Sequence, residues 1–191
     1  AVKIAEGGSL TWKDVKLDGN GLGTNYSSAI IDNAGKFTMD SGEIKNVNTN
    51  QGFIGVVKVR GANASFTMNG GSLHDNKMSN QFVAIVKVTE GAAFTMNGGD
   101  ISNNTLEPDG SSGLNAAVTV EGIKGSSTMV MNGGTITGNS SDFGGVLVGS
   151  FSTNNTMQQN FSNPAYRFST GKMTMNGGTI SNNTALSLGG G

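Results

Sequence analysis

Short runs in which apolar and polar residues alternate return along the whole chain. The clearest are Phe37-Thr38-Met39-Asp40-Ser41-Gly42-Glu43-Ile44, Phe66-Thr67-Met68-Asn69-Gly70-Gly71-Ser72-Leu73 and Phe94-Thr95-Met96-Asn97-Gly98-Gly99-Asp100-Ile101. The unit reappears as Met129-Val130-Met131-Asn132-Gly133-Gly134-Thr135-Ile136 and Met173-Thr174-Met175-Asn176-Gly177-Gly178-Thr179-Ile180. A degenerate first copy reads Leu10-Thr11-Trp12-Lys13-Asp14-Val15-Lys16-Leu17. Phe and Met stand two apart with Thr between them, the period of a strand with one buried face. Phe and Met are therefore expected inside and Thr outside. The Gly-Gly pair supplies a corner where positive φ costs little, because glycine has no Cβ. Leu73 and its equivalents then point inward on a second short strand. After a polar loop comes a third strand, such as Val57-Lys58-Val59 or Ile85-Val86-Lys87-Val88, and a glycine turn leads to the next unit.

Three strands and three corners per repeat predict an all-β fold, a single-stranded parallel β-helix or β-solenoid of about six coils. Each coil adds one strand spacing, ~4.8 Å. Trp12, Met39, Met68, Met96, Met131 and Met175 mark the repeat, at spacings of 27, 29, 28, 35 and 44 residues. A constant core motif with variable length suits one solenoid domain over 1–191, whose loops leave a corner without disturbing the stack. A helix is excluded because the apolar period is two and glycine interrupts every longer stripe. A propeller would need about 40 residues per blade at constant length. The longest departure is a loop insertion at 150–171 carrying Phe151, Phe161, Tyr166, Arg167 and Phe168. Aromatic loops on a rigid scaffold are where recognition concentrates, so these five are candidate partner contacts. Local cover for the side of the solenoid is the competing reading.

Equivalent residues of successive coils should form rows along the axis. Trp12, Met39, Met68, Met96, Met131 and Met175 make one interior row, and packing explains it better than a metal site, because Met fills irregular gaps. Asn69, Asn97, Asn132 and Asn176 are expected to form an amide ladder at one corner. Asn76, Asn104, Asn139 and Asn183 form a second row, with Asn20 at its start and Val47 as a break. Thr11, Thr38, Thr67, Thr95 and Thr174 line an outer face, interrupted by Val130; the role of Thr as an exposed strand former explains this row more simply than an ice-binding array.

Composition removes several function classes. Charged residues make up 13% of the 191 and the net charge is -1, which gives no electrostatic case for nucleic acid or an anionic membrane. No apolar run approaches the ~18 residues of a membrane span. There is no Cys for disulfides or thiolate metal sites, and no cofactor is expected. His74 is the only histidine, read as an outward residue beside Asp75. Glu43, Asp75 and Asp100 fall at similar phases in successive coils, the best sign of carboxylate chemistry in the chain. Solvated face residues explain them more simply.

The chain opens on what reads as the third strand of a coil, since Ala1-Val2-Lys3-Ile4 aligns with Ile85-Val86-Lys87-Val88. It stops just before the next third strand is due, so the chain is expected to be a processed product or an excised section. Open coil ends expose unpaired N–H and C=O groups, a template for head-to-tail addition of another chain.

At the Phe-Thr-Met-Asn-Gly-Gly-Thr-Ile copies the chain resembles right-handed parallel β-helix repeats of bacterial surfaces, including adhesin-like proteins and the Gly-Gly-Ala-Ile repeats of polymorphic membrane proteins. That resemblance implies a right-handed coil and an extracellular, non-enzymatic passenger or stalk. The expected function is a structural or adhesive cell-surface solenoid that stacks end to end into filaments, with a host or cell-surface glycan or protein as a further partner. The alternative is a carbohydrate-binding or polysaccharide-cleaving β-helix protein.

Overall fold

The computed structural model describes residues 1–20, 29–50, 54–80, 82–107, 114–122, 124–149 and 170–186. All regular structure among them is β, and every strand pairing is parallel, as in a β-solenoid. The insertion at 150–171, with Phe151, Phe161, Tyr166, Arg167 and Phe168, lies outside the described residues except for its last two positions.

The first sheet runs Val2–Ile4, Ile31–Asn33, Gly55–Arg60, Ala84–Thr89, Ala116–Glu121 and Val146–Gly149. The second runs Ser9–Trp12, Lys36–Met39, Ser65–Met68, Ala93–Met96, Thr128–Met131 and Lys172–Met175. In the third, Val15–Asp18, Gly42–Lys45, Ser72–His74, Asp100–Ser102, Thr135–Thr137 and Thr179–Ser181 pair in that order. Each of these three sheets therefore holds six strands in register.

A fourth sheet corrects the expectation of three strands per coil. It has five strands, Asn48–Thr49, Lys77–Ser79, Thr105–Glu107, Ser140–Ser141 and Thr184–Ala185. These two- and three-residue pieces are too short and polar to show an alternation, so they read as loop. Their strand character comes from one inward residue each, such as Met78 at 1% and Leu106 at 0% exposure, locked by the same coil-to-coil pairing.

Alternation sets the core as expected. Phe37, Phe66 and Phe94 are buried and stack with ring centroids 4.9 Å apart at 11° and 10°. That distance is the coil spacing itself, so one geometry satisfies both the backbone ladder and offset aromatic stacking. Trp12 meets Phe37 edge-on, at 6.1 Å and 74°, and donates its indole N–H to Val15 O at 2.7 Å. Met39, Met68, Met96 and Met131 are fully buried beside the ring stack, and Trp12 closes their row at 5% exposure.

The two ends differ. Residues 1–20 carry Lys3, Glu6, Lys13, Asp14, Lys16 and Asp18. From Val146 to Leu186, Lys172 is the one charged residue among those described. In that last described coil Met175 is 48% exposed, and Met173 and Ile180 are half-buried.

Candidate functional site

Glycine shapes the most obvious recess. At the corner between the second and third sheets, Gly71 and Gly99 hold φ of +86° and +81° and leave no side chain outside the backbone. The result is a groove of about 570 Å³ along the stack, floored by Gly42, Gly70, Gly71 and Gly99 and flanked by Asp14, Lys16, Glu43, Ser72 and Asp100.

Register decides which predicted carboxylates meet. Glu43, Ser72 and Asp100 occupy successive positions of one outward row, with Lys16 before them and Thr135 and Thr179 after. Glu43 and Asp100 are thus two strand spacings apart, roughly 9.6 Å. Asp75 does not belong to this row, which corrects the expected trio. It occupies the next corner, with Asn46 and Asn103, where a φ of 53° turns the chain. Ser72 Oγ and Ser102 Oγ donate to Asp100 Oδ2 at 2.8 and 2.6 Å. Glu43 takes Lys45 at 3.1 Å and Lys16 at 3.7 Å. The Lys45 ammonium, then the His74 ring, hold the Glu43 carboxyl below its ordinary range. A general acid for glycoside cleavage needs the opposite shift, so Glu43 is arranged to stay ionised.

His74 is better connected than an outward lone histidine. Its Nδ1 stands 2.7 Å from Asp75 Oδ2 and its Nε2 3.3 Å from Glu43 Oε2. Both ring nitrogens face carboxylates, so both carry protons best in the imidazolium. Burial opposes that charge, but the hydrogen bonds His74 donates to Asp75 and Glu43 outweigh it and raise the pKa above 6.5. A raised folded-state value means the imidazolium stabilises the fold fully below about pH 6.5 and ceases to do so as the pH rises through the folded value. Solvent screening keeps this contribution under about 1 kcal/mol. In urea titrations, His74→Gln should match the parent above that value and fall behind it near pH 6; a gap that widens toward high pH would sink this assignment.

The two asparagine rows are ladders of opposite polarity. On the outside, Asn176, Asn132 and Asn97 each donate Nδ2–H to the Oδ1 of the preceding Asn, all at 2.8 Å. Asn69 donates at 2.8 Å to Asp40 Oδ1, and a carboxylate there can only accept. Asp40 therefore fixes the direction of every amide above it. Inside, Asn76, Asn104 and Asn139 donate to the following Asn at 2.8–2.9 Å, ending on Asn183. Each inner Oδ1 also takes a backbone N–H from the coil before, Val47 N–H at 3.0 Å on Asn76 being the first. Asn20 keeps the expected phase, two residues after Asp18 as Val47 is two after Lys45, but it is exposed and its backbone N–H bonds Asp18 Oδ1 at 2.9 Å.

The repeats conceal some polar contacts because single coils carry them. Arg60 grips Asp32 through two bonds of 2.8 and 3.0 Å, and the Arg60 side chain holds the Asp32 carboxyl below its usual range. Lys87 is buried between Glu121 and the Phe82 carbonyl, which it reaches at 3.0 Å. Asn115, also buried, accepts Val83 N–H at 2.9 Å and donates to Asn80 O at 2.7 Å. Their only sequence signal was a polar residue beside an apolar run. Among the described residues no group of three His, Asp or Glu side chains is placed to hold a metal ion.

Comparison with known proteins gives no significant match to a family model, a curated protein or a solved structure.

Proposed function

We propose that this chain is a non-enzymatic structural or adhesive β-solenoid, a building block of an extracellular or cell-surface stalk or fibre. The reading rests chiefly on the regular parallel stack, whose strands and asparagine ladders repeat from coil to coil in one register. The repeats that resemble adhesin-like and polymorphic-membrane-protein surface β-helices support the same reading, as do ladders that give successive coils one stiff, uniform exterior. The groove with Glu43 and Asp100 favours one alternative, recognition of a glycan, and the lowered Glu43 value argues for binding over cleavage.

Incubation with a panel of polysaccharides separates these readings. The structural reading expects no change in polymer length. Depolymerisation lost in Glu43→Gln or Asp100→Asn would replace it with the enzymatic one, and saturable binding lost in the same variants would make the groove the functional site.

A further inference from the structure

The outer asparagines share a chemical liability that the inner row lacks. Each precedes a glycine, at Asn69-Gly70, Asn97-Gly98, Asn132-Gly133 and Asn176-Gly177. In such a pair the unhindered glycine nitrogen attacks the asparagine Cγ. The new C–N bond closes a five-membered succinimide, and the side-chain nitrogen leaves as ammonia, taking the glycine N–H proton. Water then opens the ring to aspartate or isoaspartate. From this chemistry and the geometry of the row we infer that the outer ladder is a line of deamidation sites. They stay locked while every rung is an amide, and conversion of one rung releases the rung on its Asp40 side.

Packing keeps the liability in place. A Cβ at Gly98 would stand 2.6 Å from Asn69 O, and one at Gly133 2.5 Å from Asn97 O. Only glycine fits behind these asparagines, so a slower dipeptide cannot take its place.

The fold supplies the lock. Gly98 N–H points at Met68 O and Gly133 N–H at Met96 O, both at 3.3 Å, so each nucleophile directs its proton into the coil before. The Asn97 amide is held on both sides, donating to Asn69 Oδ1 and accepting Asn132 Nδ2–H, each at 2.8 Å. Swinging its Cγ onto the glycine nitrogen breaks both bonds. These side chains are exposed, so hydrogen bonds rather than burial restrain them.

Direction follows from counting donors. Asp40 only accepts, so Asn69 donates to it and takes the Asn97 donor on its other side. An aspartate at 97 still accepts from Asn132, which keeps both of its ladder bonds. Asn69 fares differently. It then lies between two carboxylates, and its NH2 can face only one of them. The remaining contact sets oxygen against oxygen, and Asn69 is held by one bond fewer.

Peptide mapping after incubation in mildly alkaline buffer reads each site separately as Asn, Asp or isoaspartate. In the folded parent, Asn97 and Asn132 should convert at least about tenfold more slowly than in the same chain unfolded in urea. Equal rates in the two states overturn the lock. Asn97→Asp should speed conversion at Asn69 about 2- to 10-fold, the worth of one hydrogen bond, and leave Asn132 at the parental rate. Adding Asp40→Asn should slow Asn69 again, because the new amide donates to Asn69 Oδ1 and frees Asn69 to donate to the aspartate at 97. An unchanged Asn69, or a rise at both neighbours that Asp40→Asn fails to reverse, overturns the direction. The comparison of folded and unfolded parent needs no variant and decides the lock by itself.

Discussion

Replacing Asn104 by Ala is expected to destabilise the chain by roughly 2–6 kcal/mol, since four buried hydrogen bonds are lost at about 0.5–1.5 kcal/mol each. Asn104 Oδ1 accepts the Asn76 backbone N–H at 3.0 Å and its Nδ2–H at 2.9 Å. Asn104 Nδ2 donates to Leu73 O and to Asn139 Oδ1, at 2.9 and 2.8 Å. The residue is wholly buried, so water does not substitute without opening the corner. The loss is a large share of a stability of typically 5–15 kcal/mol. Urea unfolding measures it, read as a fall in midpoint at constant slope. Asn104→Asp refines the test. Its carboxylate keeps the two Asn76 donors but sets negative oxygens against Leu73 O and Asn139 Oδ1. The folded-state pKa of the new Asp must rise, so the variant should recover stability as the pH falls. An Asn104→Ala loss below 1 kcal/mol would mean the ladder is ornamental.

The contrast between Asn104 and Val47 shows what the sequence could reveal. Both stand in the same row, yet Val47 is buried at 1% exposure and its N–H still finds Asn76 Oδ1. The row therefore breaks at its first buried rung without leaving that donor empty. Rows such as these, with the Phe and Met stacks, were legible because repetition multiplies a weak period-2 signal. Whatever one coil carries alone was not. The Arg60–Asp32 grip and the burial of Lys87 have no counterpart in the next repeat, and the Asn115 contact recurs only with a different residue, Asp142, whose Oδ2 accepts Asn115 N–H at 3.3 Å. Phase failed for a different reason at Asp75. The residue in line with Glu43 and Asp100 is Ser72, and Asp75 lies three residues further on, past the end of that strand at a positive-φ corner. The fourth sheet was hidden by length, since two residues cannot display an alternation.

The glycine corners give the second large effect. Gly99→Ala is expected to cost about 3–5 kcal/mol, combining a strained positive φ with overpacking against backbone. A Cβ there would stand 2.5 Å from Gly71 O and 2.8 Å from Met68 Cε. Met68 is flexible and can shift; Gly71 O cannot, because it accepts Asp100 N–H at 2.9 Å and so joins the two coils. Gly61 separates the two contributions. Its φ is +99° but a Cβ would meet nothing within 4 Å, so Gly61→Ala should lose only the conformational part, about 1–2 kcal/mol. The copies themselves obey this distinction. Gly42, Gly71, Gly99, Gly134 and Gly178 are retained in every coil that has another beneath it, whereas Ser41 replaces the first glycine of the pair. Val15 takes the second position only in the first coil, where no described strand lies below. Urea midpoints for Gly61→Ala and Gly99→Ala decide the matter. Equal losses would show that the corner yields to a methyl group, and that close approach between coils is not what requires glycine there.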